Sequence, residues 1–171
     1  MGKGLAEFVA LNVAVLTVSD KHTAESDSSG IYLREALSEA GHQVVDRLIV
    51  ADNRYQIRAA VSRWVASRDV QVVLINGGTG FNAKNSTPEA LLPLFDREIE
   101  GFGELFRMVS FEDIGTSTLQ SRAVGGIANQ TLILAVPGST SACQLAWERI
   151  IQEQLDARTG PCNFVSHVKK L

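Results

Sequence analysis

The chain has only two cysteines, Cys143 and Cys162, in 171 residues, and neither belongs to a Cys-x-x-Cys pair. That excludes a disulfide framework and leaves no thiol set for a structural zinc site. Both are expected as small, buried or half-buried thiols. Long apolar runs are missing too: no segment approaches the ~20 apolar residues of a membrane span. No charged stretch leads into an apolar run near the N-terminus, so no export signal is expected. Basic charge is scarce. Sixteen Lys and Arg against nineteen Asp and Glu leave a formal charge of −3, no helical segment carries a basic stripe, and only Lys169-Lys170 pair at the C-terminus. A nucleic-acid partner is therefore not expected, nor a membrane, and a reducing cytoplasm fits the cysteine usage.

What is present is a 45% hydrophobic, 20% charged composition, ordinary for a folded domain. Short apolar runs alternate with segments of helical period. Leu11–Val18, Val44–Val50, Val70–Ile75 and Thr131–Val136 read as strands, near-continuously apolar as in a sheet covered on both faces. Helices are expected over Ile31–Ala40, stopped by Gly41, and after Asp52, with Ile57, Val61, Trp64 and Val65 on one face. A third begins at Thr87-Pro88-Glu89, with Thr87 as cap, and a last one spans Ser141–Leu155. This order predicts an α/β fold: a three-layer αβα sandwich around a mostly parallel sheet, joined by right-handed crossovers. One domain over 1–171 is expected, with a core at about 12–156 and an irregular tail at 157–171. Phe95–Ile114 breaks the alternation. It crowds Phe95, Phe102, Phe106 and Phe111 together with Leu105, Met108 and Val109, and reads equally as core or as a subunit seam.

Ligands of open α/β sheets bind beyond the carboxyl ends of the strands. Four connections fall there: Ser19 through Asp27-Ser28-Ser29-Gly30, Asp52, Gly77-Gly78-Thr79-Gly80, and Pro137-Gly138-Ser139-Thr140. Glycines admit close backbone approach and positive φ, so successive N–H groups can share one concavity. Ser28, Thr79, Ser139 and Thr140 add hydroxyls, and the helices that follow favour negative charge at their N-termini. Together they predict cups for an anion such as phosphate.

Gly78 to Ala83 matches G-x-G-x-x-A by letter, but it follows the third strand and no acid ends the next one, which argues against a dinucleotide. Ala83 before Lys84 excludes a P-loop. Asp52 reads either as a helix cap or as a Mg²⁺ ligand, since that ion takes carboxylates and substrate oxygens. Asp20 and Asp27 are less specific. His22, His42 and His167 are expected as solvated side chains, and no Ser/His/Asp set or G-x-S-x-G elbow stands out.

Several segments in one order carry a family likeness: Ile75-Asn76-Gly77-Gly78-Thr79-Gly80, Thr87-Pro88-Glu89-Ala90, Glu100 to Arg107, Leu119-Gln120-Ser121-Arg122-Ala123 and Pro137-Gly138-Ser139. From about Asn12 to Phe164 the chain resembles the MoaB/MogA molybdopterin-binding family. The resemblance implies a trimer, commonly doubled to a hexamer, and a pocket for molybdopterin. In active relatives the molybdopterin phosphate attacks the α-phosphate of Mg-ATP. By matching position, Asp52 would be catalytic and orient Mg²⁺. Gly77–Gly80, Ser121, Arg122 and Gly138–Thr140 would line the pocket, with Asp27, Ser28, Gly30, Asn85 and Pro137 beside them. Two positions depart from the family pattern. Asn76 stands where Ser or Thr is usual, and Asn85 where Asp is usual. An amide keeps the shape but loses the charge, so the resemblance leaves two functions open: a molybdopterin adenylyltransferase, or a non-catalytic molybdopterin-binding or carrier protein.

Overall fold

A computed structural model describes residues 6–171; residues 1–5 of the expected domain lie outside the described part. A six-stranded sheet has the order β2-β1-β3-β6-β5-β4. β1 (Asn12–Val18), β2 (Gln43–Val50), β3 (Val72–Asn76) and β6 (Thr131–Val136) run parallel, while β5 (Val124–Ala128) and β4 (Arg97–Glu98) complete one edge antiparallel. The mostly parallel αβα sandwich is therefore present, with an antiparallel edge that the reading from sequence lacked.

The two-residue period of the strands sorts their side chains between two cores. Val13, Val15, Val72, Leu74, Leu132 and Leu134 face α1 (Ser28–Glu39), α4 (Glu100–Ile114) and α5 (Thr140–Ala146). Ala14, Leu16, Val73, Ile75, Ile133 and Ala135 face α2 (Arg54–Ala66) and α3 (Thr87–Leu91). The aromatic segment divides: Phe102, Phe106 and Val109 are core, Phe95 is half-buried, and Leu105, Met108, Phe111 and Ile114 are exposed.

β5 escaped notice because Gly125 and Gly126 are poor strand formers. They serve packing instead. A Cβ at Gly126 would overlap the Phe95 ring, and one at Gly125 would stand 3.2 Å from Phe102. The β5–β6 turn has Asn129 and Gln130 both at positive φ, 46° and 58°, the two-residue hairpin geometry that matches strand twist.

Other expectations need correction. Asp52 does not cap α2; Asn53 does, accepting from the amides of Tyr55 (2.9 Å) and Gln56 (3.1 Å). Ser86, not Thr87, occupies the cap position of α3. α1 begins at Ser28 because Asp27 accepts from the Gly30 amide. The last helix is interrupted by a π turn over Trp147–Ile151 before α6 (Gln152–Gln154). The buried face runs on through Cys143, Ala146, Trp147, Ile150, Ile151 and Leu155. Cys143 is buried, as expected, but Cys162 is exposed. His42 is buried rather than solvated, its Nδ1 accepting from the Leu11 amide at 3.1 Å. The tail is irregular apart from a short 3₁₀ turn, yet Phe164, Val165 and Val168 pack on the core. Lys169 is tied to the Val65 and Ser67 carbonyls at 2.8 and 2.5 Å.

Candidate functional site

At the carboxyl ends of β1, β3 and β6 the sequence turns glycine- and hydroxyl-rich, and the structure interlocks these turns. Gly77 (φ 97°) and Gly78 (φ 70°) adopt the left-handed region, where a Cβ is strained. A side chain at Gly77 would overlap the Val18 carbonyl, and one at Gly78 the Thr87 hydroxyl. Gly138 comes so close to this loop that a Cβ there would stand 3.1 Å from the Gly77 Cα. The Ser29 hydroxyl donates to the Gly138 carbonyl at 2.7 Å, and the Ser28 and Thr140 hydroxyls share a hydrogen bond of 2.8 Å. Pro137 accepts from the Cys143 thiol, whose pKa burial pushes up to about 12, leaving it a structural rather than a reactive group. Ser139 caps α5 through the Ala142 amide at 3.2 Å.

A buried polar chain shapes the rim from below. Asn76 Nδ2 donates to the Thr17 hydroxyl at 2.9 Å, and that hydroxyl donates to Asp27 Oδ2 at 2.7 Å. Arg47 Nη2 donates to the same oxygen at 2.9 Å, while Asp27 Oδ1 accepts from the Gly30 amide at 3.0 Å. Burial raises the pKa of Asp27, but Arg47, Thr17 and the Gly30 amide outweigh it and hold the carboxyl below its usual value. Asp27 is 1% exposed, and Gly30 is buried with no room for a Cβ beside that carboxylate. Both sit beneath the rim. Ser28 lies on it, exposed. Reading the sequence missed this network, although Thr17 and Asn76 are polar residues near the ends of apolar runs and Arg47 stands beside Asp46 in β2.

Arg122 is also heavily engaged. It donates through Nε to the Gly80 carbonyl at 3.0 Å and through Nη2 to the Asn85 carbonyl at 3.2 Å. Its Nη1 pairs with Glu89, and its guanidinium stacks over Phe81 at 5.4 Å. Burial raises the Glu89 pKa, but Arg122 more than offsets this and the carboxyl titrates below its usual value. The Arg122 backbone amide donates to the carbonyl of buried Thr79 at 3.0 Å. So Arg122 fastens the Gly77–Gly80 loop to the segment before β5. Ser121 adjoins it, its buried Oγ without a hydrogen-bond partner among the described residues.

Asp52 sits half-buried beside this loop; a Cβ at Gly78 would stand 3.2 Å from its Oδ1. Oδ1 accepts from the Ser86 amide (3.1 Å) and hydroxyl (3.0 Å), and Oδ2 from Asn85 Nδ2 at 2.9 Å. The Asp52 amide donates to Asp20, whose carboxylate pairs with Lys84 at 2.5 Å and is held below its usual pKa by that bond. As arranged, this donor set does not fit a resident Mg²⁺: N–H and O–H groups point at the oxygens a metal needs. Among the described residues no group of three His, Cys, Asp or Glu side chains converges.

The likeness noted in the sequence extends to comparison with known proteins. Residues 14–157 match a probable molybdopterin binding domain. Molybdenum cofactor biosynthesis protein B of Escherichia coli (strain K12) is 65% identical over 170 residues, 99% of this chain and all of that protein. A crystal structure of molybdenum cofactor biosynthesis protein B superposes with a TM-score of 0.84 at 44% identity, covering 86% of this chain and 92% of that one. The tungsten cofactor synthesizing protein MoaB from Pyrococcus furiosus gives 0.75 at 35% identity, over 82% and 90%. The chain belongs to the family of these molybdopterin-binding domains.

Proposed function

We propose that this chain serves molybdenum-cofactor synthesis by binding molybdopterin, its rim of glycine and hydroxyl turns gripping the ligand through the terminal phosphate. The observation that carries the reading is the contact of three separate connections at one end of the sheet: Ser29 to Gly138 and Ser28 to Thr140 join those after β1 and β6, and Gly138 lies against Gly77 of the one after β3. Backbone amides and hydroxyls set in this way bind a phosphate without free charge on the protein. Lys21, exposed in the connection after β1, adds positive charge at the rim, whereas Lys84 is paired with Asp20. Equilibrium titration of molybdopterin, followed by pterin fluorescence, tests it. Saturable uptake that falls at least tenfold in Gly78→Val supports the grip, and uptake indifferent to that change refutes it.

The second reading is adenylyl transfer with Mg-ATP, the metal arriving with the nucleotide. Its support is Asp52, whose carboxylate borders the Gly78 turn. In that reaction a molybdopterin phosphate oxygen bonds the α-phosphorus, and pyrophosphate leaves with the electron pair of the broken bond. The engagement of Asp52 by Asn85 favours binding over turnover, so pyrophosphate release from molybdopterin and Mg-ATP is expected to be negligible in the natural chain. Release at a sustained rate that collapses in Asp52→Ala would establish the enzymatic reading instead. The resemblance also supports a trimer or hexamer in the cytoplasm. Among the described residues no helix is long and apolar enough to cross a membrane, and Leu105, Met108, Phe111, Ile114 and Leu119 form exposed apolar surface of the kind subunit contacts cover.

A further inference from the structure

We infer that the Asn85 carboxamide takes the place a divalent cation would need at Asp52, closing the rim as a metal-independent latch. The orientation of the amide is fixed by its surroundings. Asn85 Oδ1 accepts from the Asn82 amide at 3.1 Å, which leaves Nδ2 to donate to Asp52 Oδ2 at 2.9 Å. The other Asp52 oxygen is taken by the Ser86 amide and hydroxyl. The carboxylate thus receives three donors, each presenting a positive hydrogen. Such charge-assisted bonds are among the stronger ones available to a protein. A second carboxylate close by, that of Asp20, accepts from the Asp52 amide and pairs with Lys84. Mg²⁺ needs a near-octahedral set of oxygens and keeps most of its waters, and a cation nearing Asp52 here meets N–H groups first.

The latch has a consequence for the fold. It ties the turn after β2 to the loop after β3, so the shape of the Gly77–Gly80 cup does not depend on metal. A carboxylate at the same position would face Asp52 at hydrogen-bond distance. Two like charges that close are tolerated only with a shared proton or a bridging cation. The substitution Asn85→Asp should therefore create a divalent-metal dependence that the natural chain lacks.

Thermal unfolding of the full-length protein, in excess EDTA or excess MgCl₂ at matched ionic strength, measures this without pterin or nucleotide. The natural chain should melt at one temperature in both. Asn85→Asp should melt about 3 °C lower in EDTA and recover most of that loss with MgCl₂. Asn85→Ala should be lowered equally in both, having lost the bond and gained no charge. A natural chain that MgCl₂ stabilises, or an Asn85→Asp protein indifferent to metal, would overturn the inference. Mn²⁺ titrated into the natural chain and followed by electron paramagnetic resonance gives a readout that needs no variant. Free Mn²⁺ throughout agrees with the latch, and stoichiometric binding abolished in Asp52→Ala overturns it. Either failure leaves pterin uptake untouched, and absence of pterin uptake leaves the latch untouched.

Discussion

Asp27 shows how one buried charge sets the shape of a binding rim. Its partner Arg47 is mostly covered, with 17% of the side chain exposed, and replacing it leaves a buried carboxylate without its cation. Arg47→Met is expected to cost about 3 kcal/mol, read as a lowered urea midpoint, and to loosen the start of α1. Because the folded pKa of Asp27 lies below the ordinary 3.8, its contribution is complete above that pH. It fades as the pH falls through the lower folded value. His42 acts in a different window. Burial depresses its pKa below 6.5, so the fold holds it neutral while the unfolded chain takes up a proton. Stability should therefore begin to fall as the pH drops below about 6.5. In His42→Asn, whose amide oxygen can accept the same Leu11 N–H, urea midpoints should be flat between pH 7 and about 5.5. An unchanged slope in that variant would remove His42 as the cause.

Among the elements, legibility followed hydrophobic pattern. β1, β2, β3 and β6 were readable because each is a near-continuous apolar run, and α1 and α2 because their apolar faces keep helical spacing. β5 was not, since its glycines carry no pattern and their purpose, room for Phe95 and Phe102, appears only in three dimensions. The π turn was hidden because Cys143, Ala146, Trp147, Ile150 and Ile151 keep ordinary helical spacing across it. Of the candidate site, the glycine turns were legible as chemistry and their neighbours were not. Asn53 rather than Asp52 as cap, and Asn85 as the partner of Asp52, are matters of side-chain direction. The Gly77 turn is the element most exposed to substitution. Gly77→Ala combines a left-handed backbone with a clash against Val18, and an expected loss of about 2 kcal/mol or more. Gly138→Ala, which needs only a small displacement of its neighbour, should melt close to the natural chain yet bind pterin less tightly. Differential scanning calorimetry on the two variants separates these outcomes.

For the whole molecule, the division of α4 between core and surface predicts an assembly. Phe106 is 1% exposed and Phe111 56% exposed on one helix, so the inner face stabilises the subunit and the outer face is available to a copy of the chain. Phe111→Glu is expected to reduce the sedimentation coefficient to that of a smaller species, with thermal stability of the subunit changed by no more than about 0.5 kcal/mol. A natural chain that sediments as a monomer would contradict the expected trimer or hexamer. Molybdopterin titration of the natural chain beside Gly77→Ala and Gly138→Ala asks whether turns distant in sequence act together as one anion-binding rim. Saturable binding is expected in the natural chain, weakened in both variants although they alter different connections. Binding that neither substitution changes, or no uptake at all by the natural chain, would contradict it.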